Sequence, residues 1–203
     1  MSGLCHAVVV RPALVIVCAI ALAAAIFVGV RQAREGSGAS AGVLAPLTRA
    51  EVSRPVAGVP PELAALRRRV NVLQGGGVKA FERQLRALHG HPLVINMWAS
   101  WCGPCRIELP LFQREALRRA ARVAFVGVNV ADDAAGARRL AARYPMPYPS
   151  FTDPRYNIVA GRFGSRVLPV TVFVNARGKR VTHQGQFSTL EQLADSIERY
   201  ALR

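Results

Sequence analysis

Lysine is nearly absent from this chain. Of 27 basic residues only Lys79 and Lys179 are lysines, and the acidic residues number just 12, so the formal net charge is +15 and arginine carries it. Such an excess suits nucleic acid, anionic lipid or an acidic partner. The arginines are scattered, apart from Arg67-Arg68-Arg69, and no basic stripe studded with aromatics accompanies them. That argues against nucleic acid and leaves contact with an anionic membrane face as the better fit. Cysteine is scarce too. Cys5 and Cys18 lie in or before a long apolar stretch and read as small apolar side chains. The remaining two, Cys102 and Cys105, cannot build a disulfide scaffold, which needs several bridges between distant loops. No internal repeat is visible, and Gly75-Gly76-Gly77 lacks both the lysine–serine and the preceding strand of a phosphate loop.

What is present begins with hydrophobicity: 51% of the 203 residues are apolar, enough for one domain with appendages. Residues 12–30 carry no charge. At about 1.5 Å per residue a helix there spans about 28 Å, close to the hydrocarbon thickness of a bilayer. A cleavable signal has a shorter apolar region, and Ala39-Ser40-Ala41, a possible cleavage site, lies well beyond the run. Val17 before Cys18 speaks against a lipoprotein signal. We therefore read an uncleaved transmembrane anchor ahead of a cleaved leader. With Arg11 on one side and Arg31, Arg34 and Glu35 on the other, the positive-inside rule assigns no orientation. A single N-terminal anchor usually leaves the following domain outside the cytoplasm, and paired cysteines agree. The expected organisation is a short cytoplasmic N-terminus (1–11), the anchor (12–30), a linker rich in Gly, Ser, Ala and Pro (31–60) and a globular domain (61–203).

Within the domain, Leu63, Leu66, Val70 and Leu73 predict one face of a helix that opens at Pro61 and ends at the three glycines. A second helix is expected over 78–88, a buried strand over 93–98, and a helix from Cys102 to 122 bent or interrupted near Pro110. A strand over 123–130 and a helix over 132–144 capped by Asp132 or Asp133 follow, then a short strand at 148–152 and a helix over 154–163. Residues 170–174 and 179–184 read as a hairpin, and Ser188 with Glu191 as a capping box opening the last helix. Alternating strands and helices followed by a hairpin predict an α/β fold with a mixed β-sheet flanked by helices.

The chemistry sits between the first long strand and the helix after it. A thiol at Cys102 meets the unpaired amides and positive end of that helix. An effect of about 1–2 kcal/mol takes a thiol from about 8.5 to about 7. Cys102 is thus the expected nucleophile, and Cys105, one turn on, the resolving thiol; two thiols so spaced can also close a small disulfide ring. A zinc site using His89 and His91 fails on distance, since they precede a strand whose far end lies about 20 Å away. No metal is expected.

Trp101-Cys102-Gly103-Pro104-Cys105 after a strand, a helix with Pro110 and the later Leu168-Pro169-Val170-Thr171 resemble the thioredoxin superfamily. Ile95-Asn96-Met97-Trp98-Ala99-Ser100 and Arg106-Ile107-Glu108-Leu109-Pro110 resemble its membrane-anchored TlpA/ResA-like (DsbE/CcmG-type) branch, over roughly residues 70–203. The resemblance implies a thioredoxin-like fold with a helix–strand insertion at 132–163, before a cis-proline at Pro169. It implies that the backbone of Leu168 pairs with substrate and that Trp101 shields the disulfide face. Glu108 matches the branch's proton-relaying glutamate, against the alternative of a solvent-facing helical glutamate. Asn96 stands where cytosolic thioredoxins carry a buried aspartate and is expected to be hydrogen-bonded in the core, with Trp98 beside it. Gly103 and Pro104 add no group that stabilises a thiolate, which tilts the pair toward reduction. The expected protein is a monomeric, membrane-tethered, extracytoplasmic thiol–disulfide oxidoreductase with no cofactor beyond the Cys102–Cys105 disulfide. It would reduce exported proteins such as apocytochrome c and be recharged by a membrane thiol-transfer reductase. Two alternatives are a peroxiredoxin-like thiol peroxidase, disfavoured by Ala99-Ser100-Trp101 ahead of the cysteine, and a copper carrier using His183, disfavoured by the cysteine spacing.

Overall fold

The computed structural model describes residues 44–203. The expected N-terminus, the anchor at 12–30, Cys5, Cys18 and the first part of the linker lie outside the described residues. Among the described residues no helix is long and apolar enough to cross a membrane.

In chain order the elements are α1 (Arg49–Val52), α2 (Pro61–Arg67), β1 (Leu73–Gln74), α3 (Gly77–Ala87), β2 (Leu93–Trp98), α4 (Gly103–Arg118), β3 (Ala124–Val130), α5 (Ala134–Arg143), β4 (Ser150–Asp153), α6 (Val159–Phe163), β5 (Val170–Val174), β6 (Arg180–Gln184) and α7 (Leu190–Tyr200). The strands form one mixed sheet in the order β1-β4-β3-β2-β5-β6. β2 runs parallel to β3 and antiparallel to β5, while β4 is parallel to both β1 and β3. Every residue of β2 and β3 is buried, the mark of central strands covered on both faces. The alternation of side chains splits the core in two. Val94 and Trp98 pack with Leu109, Phe112, Phe187 and Ile197 on the face covered by α4 and α7. Ile95 and Met97 pack with Leu63, Phe81, Phe151 and Val172 on the other. The expected fold class is met, and 132–163 holds the helix and strand anticipated there.

Several boundaries differ. The first domain helix ends at Arg67 instead of reaching Leu73. Asn71 adopts a left-handed φ of 58°, which asparagine tolerates, and its amide bridges the Ala141 carbonyl and the Met146 N–H. The turn sends Leu73 into β1, an edge strand pairing with Ser150. Helix α4 passes through Pro110 without interruption, although proline offers no N–H to the carbonyl one turn back. Only Val159–Phe163 of the expected helix at 154–163 is helical, with the Ile158 and Val159 amides held by the Asp153 carboxylate. The capping box on α7 is Thr189 with Gln192, one residue later than Ser188 with Glu191. Of the two expected candidates for the α5 cap, Asp133 is the one that serves.

The linker expectation also changes where it can be seen. From Leu44 the chain already lies on the domain. Val52 is fully buried, and the Gln113 side chain accepts from the Leu47 N–H at 2.8 Å and donates to its carbonyl at 3.2 Å. A buried amide with those partners ties the stretch down where a Gly/Ser/Pro composition suggested free chain.

Candidate active site

Strand β2 delivers the chain to the sheet's end, where Cys102 becomes the N-cap of α4 with φ −80° and ψ 102°. Its sulfur accepts the Cys105 N–H at 3.2 Å, taking the place of a side-chain oxygen cap. Pro104 lies in the first turn, where a missing N–H does no harm. Cys102 and Cys105 are joined as a disulfide with Cα atoms 5.3 Å apart. Cys105 is wholly enclosed while Cys102 retains 4% exposure, so Cys102 is the more open of the pair to an incoming group.

Val170 lies opposite Met97, which carries the preceding residues to the end of β2 that leads into Cys102. There the Leu168–Pro169 bond is cis, as anticipated. Pro169 is buried, Leu168 half-buried and Val167 exposed. Trp101 is 56% exposed, and its indole N–H donates to the Ala131 carbonyl at 3.0 Å. Exposed Trp101, Ile107 and Val167 give the surface around the disulfide an apolar character. Asp132 secures the approach to the cysteines by accepting from the Ser100 N–H at 2.6 Å and from the Asn129 amide at 2.8 Å.

Glu108 sits one turn after Cys105 and therefore on the same helix face. It is completely buried, not solvent-facing. One carboxyl oxygen accepts from the Asn96 amide at 3.0 Å and the other from the Phe187 N–H at 3.2 Å. Loss of water outweighs these two donors and pushes the Glu108 carboxyl up to about 8. A polar row runs across the sheet beneath it, because Asn96 pairs with Thr171 and Thr171 with His183. Among the described residues Asn96 Oδ1, Thr171 Oγ1 and the Tyr148 hydroxyl are buried without a partner. The Tyr148 hydroxyl is pushed up, first by burial and then by the charge of Glu108. Half-buried His183 stacks on Phe187 with centroids 4.3 Å apart, and burial holds its imidazole below the usual range. Trp98 is buried, with its indole on the Ser150 hydroxyl. Among the described residues no group of three or more His, Cys, Asp or Glu side chains is arranged to hold a metal ion.

Sequence reasoning reached the cysteines, Glu108, Asn96 and Pro169 but missed Thr171, Phe187 and Tyr148. Thr171 had a signal, as the one polar residue in a Val-Thr-Val-Phe-Val strand. Phe187 contributes only a backbone N–H, which no residue type announces.

The Redoxin family profile matches residues 78–196, from the start of α3 into α7. Over 116 residues the chain is 29% identical to the thiol-disulfide oxidoreductase ResA of Halalkalibacterium halodurans, covering 56% of this chain and 64% of that protein. Over 94 residues it is 33% identical to the thiol:disulfide interchange protein DsbE of Pseudomonas fluorescens biotype C, covering 45% and 49%. The match thus spans less than two thirds of either relative. The structure of MTB dsbF in its mixed oxidised and reduced forms superposes with a TM-score of 0.52 at 25% identity, over 57% of this chain and 85% of that one. Residues 78–196 contain the cysteine pair, the buried glutamate and the cis-proline, and the chain belongs to the Redoxin family.

Proposed function

We propose that the protein reduces disulfides in exported proteins, the cysteine pair of an apocytochrome c among them, from a domain held outside the cytoplasm by the segment at 12–30. The observation that carries this reading is a helix-capping Cys102, the more exposed of the two cysteines, disulfide-bonded to an enclosed Cys105, with apolar Trp101 and Ile107 exposed on either side of the pair in sequence. In the reduced protein the Cys102 thiolate attacks one sulfur of the substrate disulfide. That S–S bond breaks, a mixed disulfide forms, and the departing substrate sulfur takes a proton. Cys105, as thiolate, then attacks the Cys102 sulfur, so that the second substrate thiol leaves and also takes a proton. Two electrons pass to the substrate, and the protein is left as the Cys102–Cys105 disulfide. A dithiol reductant of the membrane thiol-transfer class restores it.

Glu108 is assigned the proton on Cys105. A carboxyl pushed up to about 8 is mostly protonated at neutral pH, so it is the minority carboxylate form that takes the Cys105 proton, and its share grows as pH approaches 8. Leu168 and Pro169 are assigned to the substrate backbone, Trp101 to its apolar side chains, and Gly103-Pro104 to the potential of the pair. In a Cys105→Ser variant the mixed disulfide has no resolving thiol. It should accumulate as a dithiothreitol-sensitive adduct with exported disulfide proteins. The absence of any such adduct overturns the proposal.

A further inference from the structure

A cleft of about 370 Å³ lies between helix α5 and the residues that flank the cysteine pair in sequence. Ser100 and Arg106, which bracket the two cysteines in sequence, form one wall, and Arg139 and Arg143 the other. Buried Leu140 and half-buried Tyr144 also line it. All three arginines are exposed, and among the described residues none has an ion-pair partner, whereas Arg118, Arg119 and Arg162 each do. The adjacent carboxylates are already engaged. Asp132 holds Ser100 and Asn129, and Asp133 caps α5 through the Gly136 N–H at 2.7 Å.

Two of the guanidinium groups have defined seats. Arg143 lies over the Tyr144 ring, 5.7 Å from its centroid. A Cβ placed on Gly103 would stand 3.9 Å from the Arg106 Nη2, so Arg106 folds back over the residue between the cysteines. Gly136 lets α5 come this close, since a Cβ there would meet the Ser100 hydroxyl and Asp133 at 2.5 Å. Arg139 and Arg143 repel one another at i,i+4. An anion between them relieves that repulsion.

We propose that this cleft binds an acidic segment of the substrate protein lying next to its reacting cysteine, with Arg106, Arg139 and Arg143 as the recognising cations. The inference rests on the oxidoreductase reading and adds the substrate class. Guanidinium groups match carboxylates two bonds at a time and steer oppositely charged partners into the encounter. A concave site whose wall includes Ser100 and Arg106, on either side of the cysteine pair in sequence, is reached by a peptide already held at Cys102, whereas a flat headgroup layer meets protruding surface.

The test uses the full chain, reduced beforehand, in single-turnover reactions with three disulfide-looped peptides that differ only in acidic, neutral or basic flanks. At low ionic strength the acidic peptide should react about tenfold faster than the neutral one, and the ratio should fall toward one in high salt. In the R139E/R143E variant the ratio of acidic to neutral rates should fall at least as far, and the basic peptide should gain. Equal rates for all three peptides at low salt overturn the inference, and so does a ratio indifferent to charge reversal. If the variant loses binding to phosphatidylglycerol vesicles while the peptide ratio stays unchanged, the cleft is a membrane contact and the inference falls. Failure to reduce any peptide instead overturns the oxidoreductase reading beneath it.

Discussion

The Asn96 amide nitrogen lies 3.0 Å from a carboxyl oxygen of Glu108, and both side chains are cut off from water. With the Phe187 N–H on the other oxygen, the pair is built for a carboxylate, which accepts two hydrogen bonds. The neutral acid must donate one. Asn96 can supply that acceptor as well, because turning its amide about χ2 exchanges the nitrogen for the unpartnered Oδ1. An asparagine here serves both states of Glu108; an ionised aspartate would accept from the neutral acid but repel the carboxylate. We expect Asn96→Asp to push the Glu108 titration further up, because two carboxylates would share one site. Carbon-13 NMR of the Glu108 carboxyl across pH measures it, and an unmoved titration would show that Asn96 does not set the group's protonation.

The same carboxyl links stability to pH. Its ordinary value is 4.5 and its folded value about 8. Between those values the unfolded chain has lost this proton while the folded chain keeps it, so the stability it contributes is whole below pH 4.5 and is lost as pH rises toward 8. Over the full window that is roughly 5 kcal/mol. Glu108→Gln removes the titrating group and should flatten this slope. Urea unfolding of the oxidised protein at pH 5 and at pH 8.5 gives the comparison, and equal losses in both proteins would mean that Glu108 titrates normally.

How much could be read in advance depended on how far away each cause lies. The strand Leu93–Trp98 and the helix start at Cys102 follow from local pattern, an apolar run and then a cap with proline behind it. The turn at Asn71 depends on Met146, 75 positions on, and β1 exists only because Ser150 pairs with it. The burial of Glu108 was hidden for a similar reason. Local hydrophobicity points the wrong way there, since neighbouring Ile107 is 45% exposed while the glutamate is enclosed. Its second donor, Phe187, is 79 positions away. Chemistry that sits on one short segment was legible, whereas the polar row of Asn96, Thr171 and His183 needs the register of three strands.

Gly127 gives a packing test on β3. A Cβ there would stand 2.1 Å from the Ser150 hydroxyl and 3.1 Å from the Trp98 indole nitrogen, two groups hydrogen-bonded to each other. Gly127→Ala must break or displace that bond, at a cost of about 1–3 kcal/mol. We expect a Tm several degrees lower, and partial recovery in Gly127→Ala/Ser150→Ala, which removes the hydroxyl but leaves the Ser150 Cβ at 2.9 Å. Thermal unfolding of the two variants decides it; no recovery would place the strain elsewhere.

Residues 44–60 allow a sharper statement about where the folded unit begins. Val52 is fully buried, Gln113 holds both backbone groups of Leu47 as well as the Pro145 carbonyl, and Arg114 donates to the Ala45 carbonyl at 2.9 Å. A fragment starting at 61 gives up the burial of Val52, about 1.5–3 kcal/mol, together with the Leu47 and Ala45 bonds at about 1 kcal/mol each. Water reaching the exposed partners recovers part of the second contribution. We expect the 61–203 fragment to be about 2–4 kcal/mol less stable in urea than 44–203, because the Val52 contribution has no such replacement. Gln113→Ala should cost more in the longer fragment than in the shorter, since only the longer one offers Leu47 as a partner. That difference isolates the coupling between the stretch and α4. Equal stabilities of the two fragments would mean that the stretch rests on the domain without holding it.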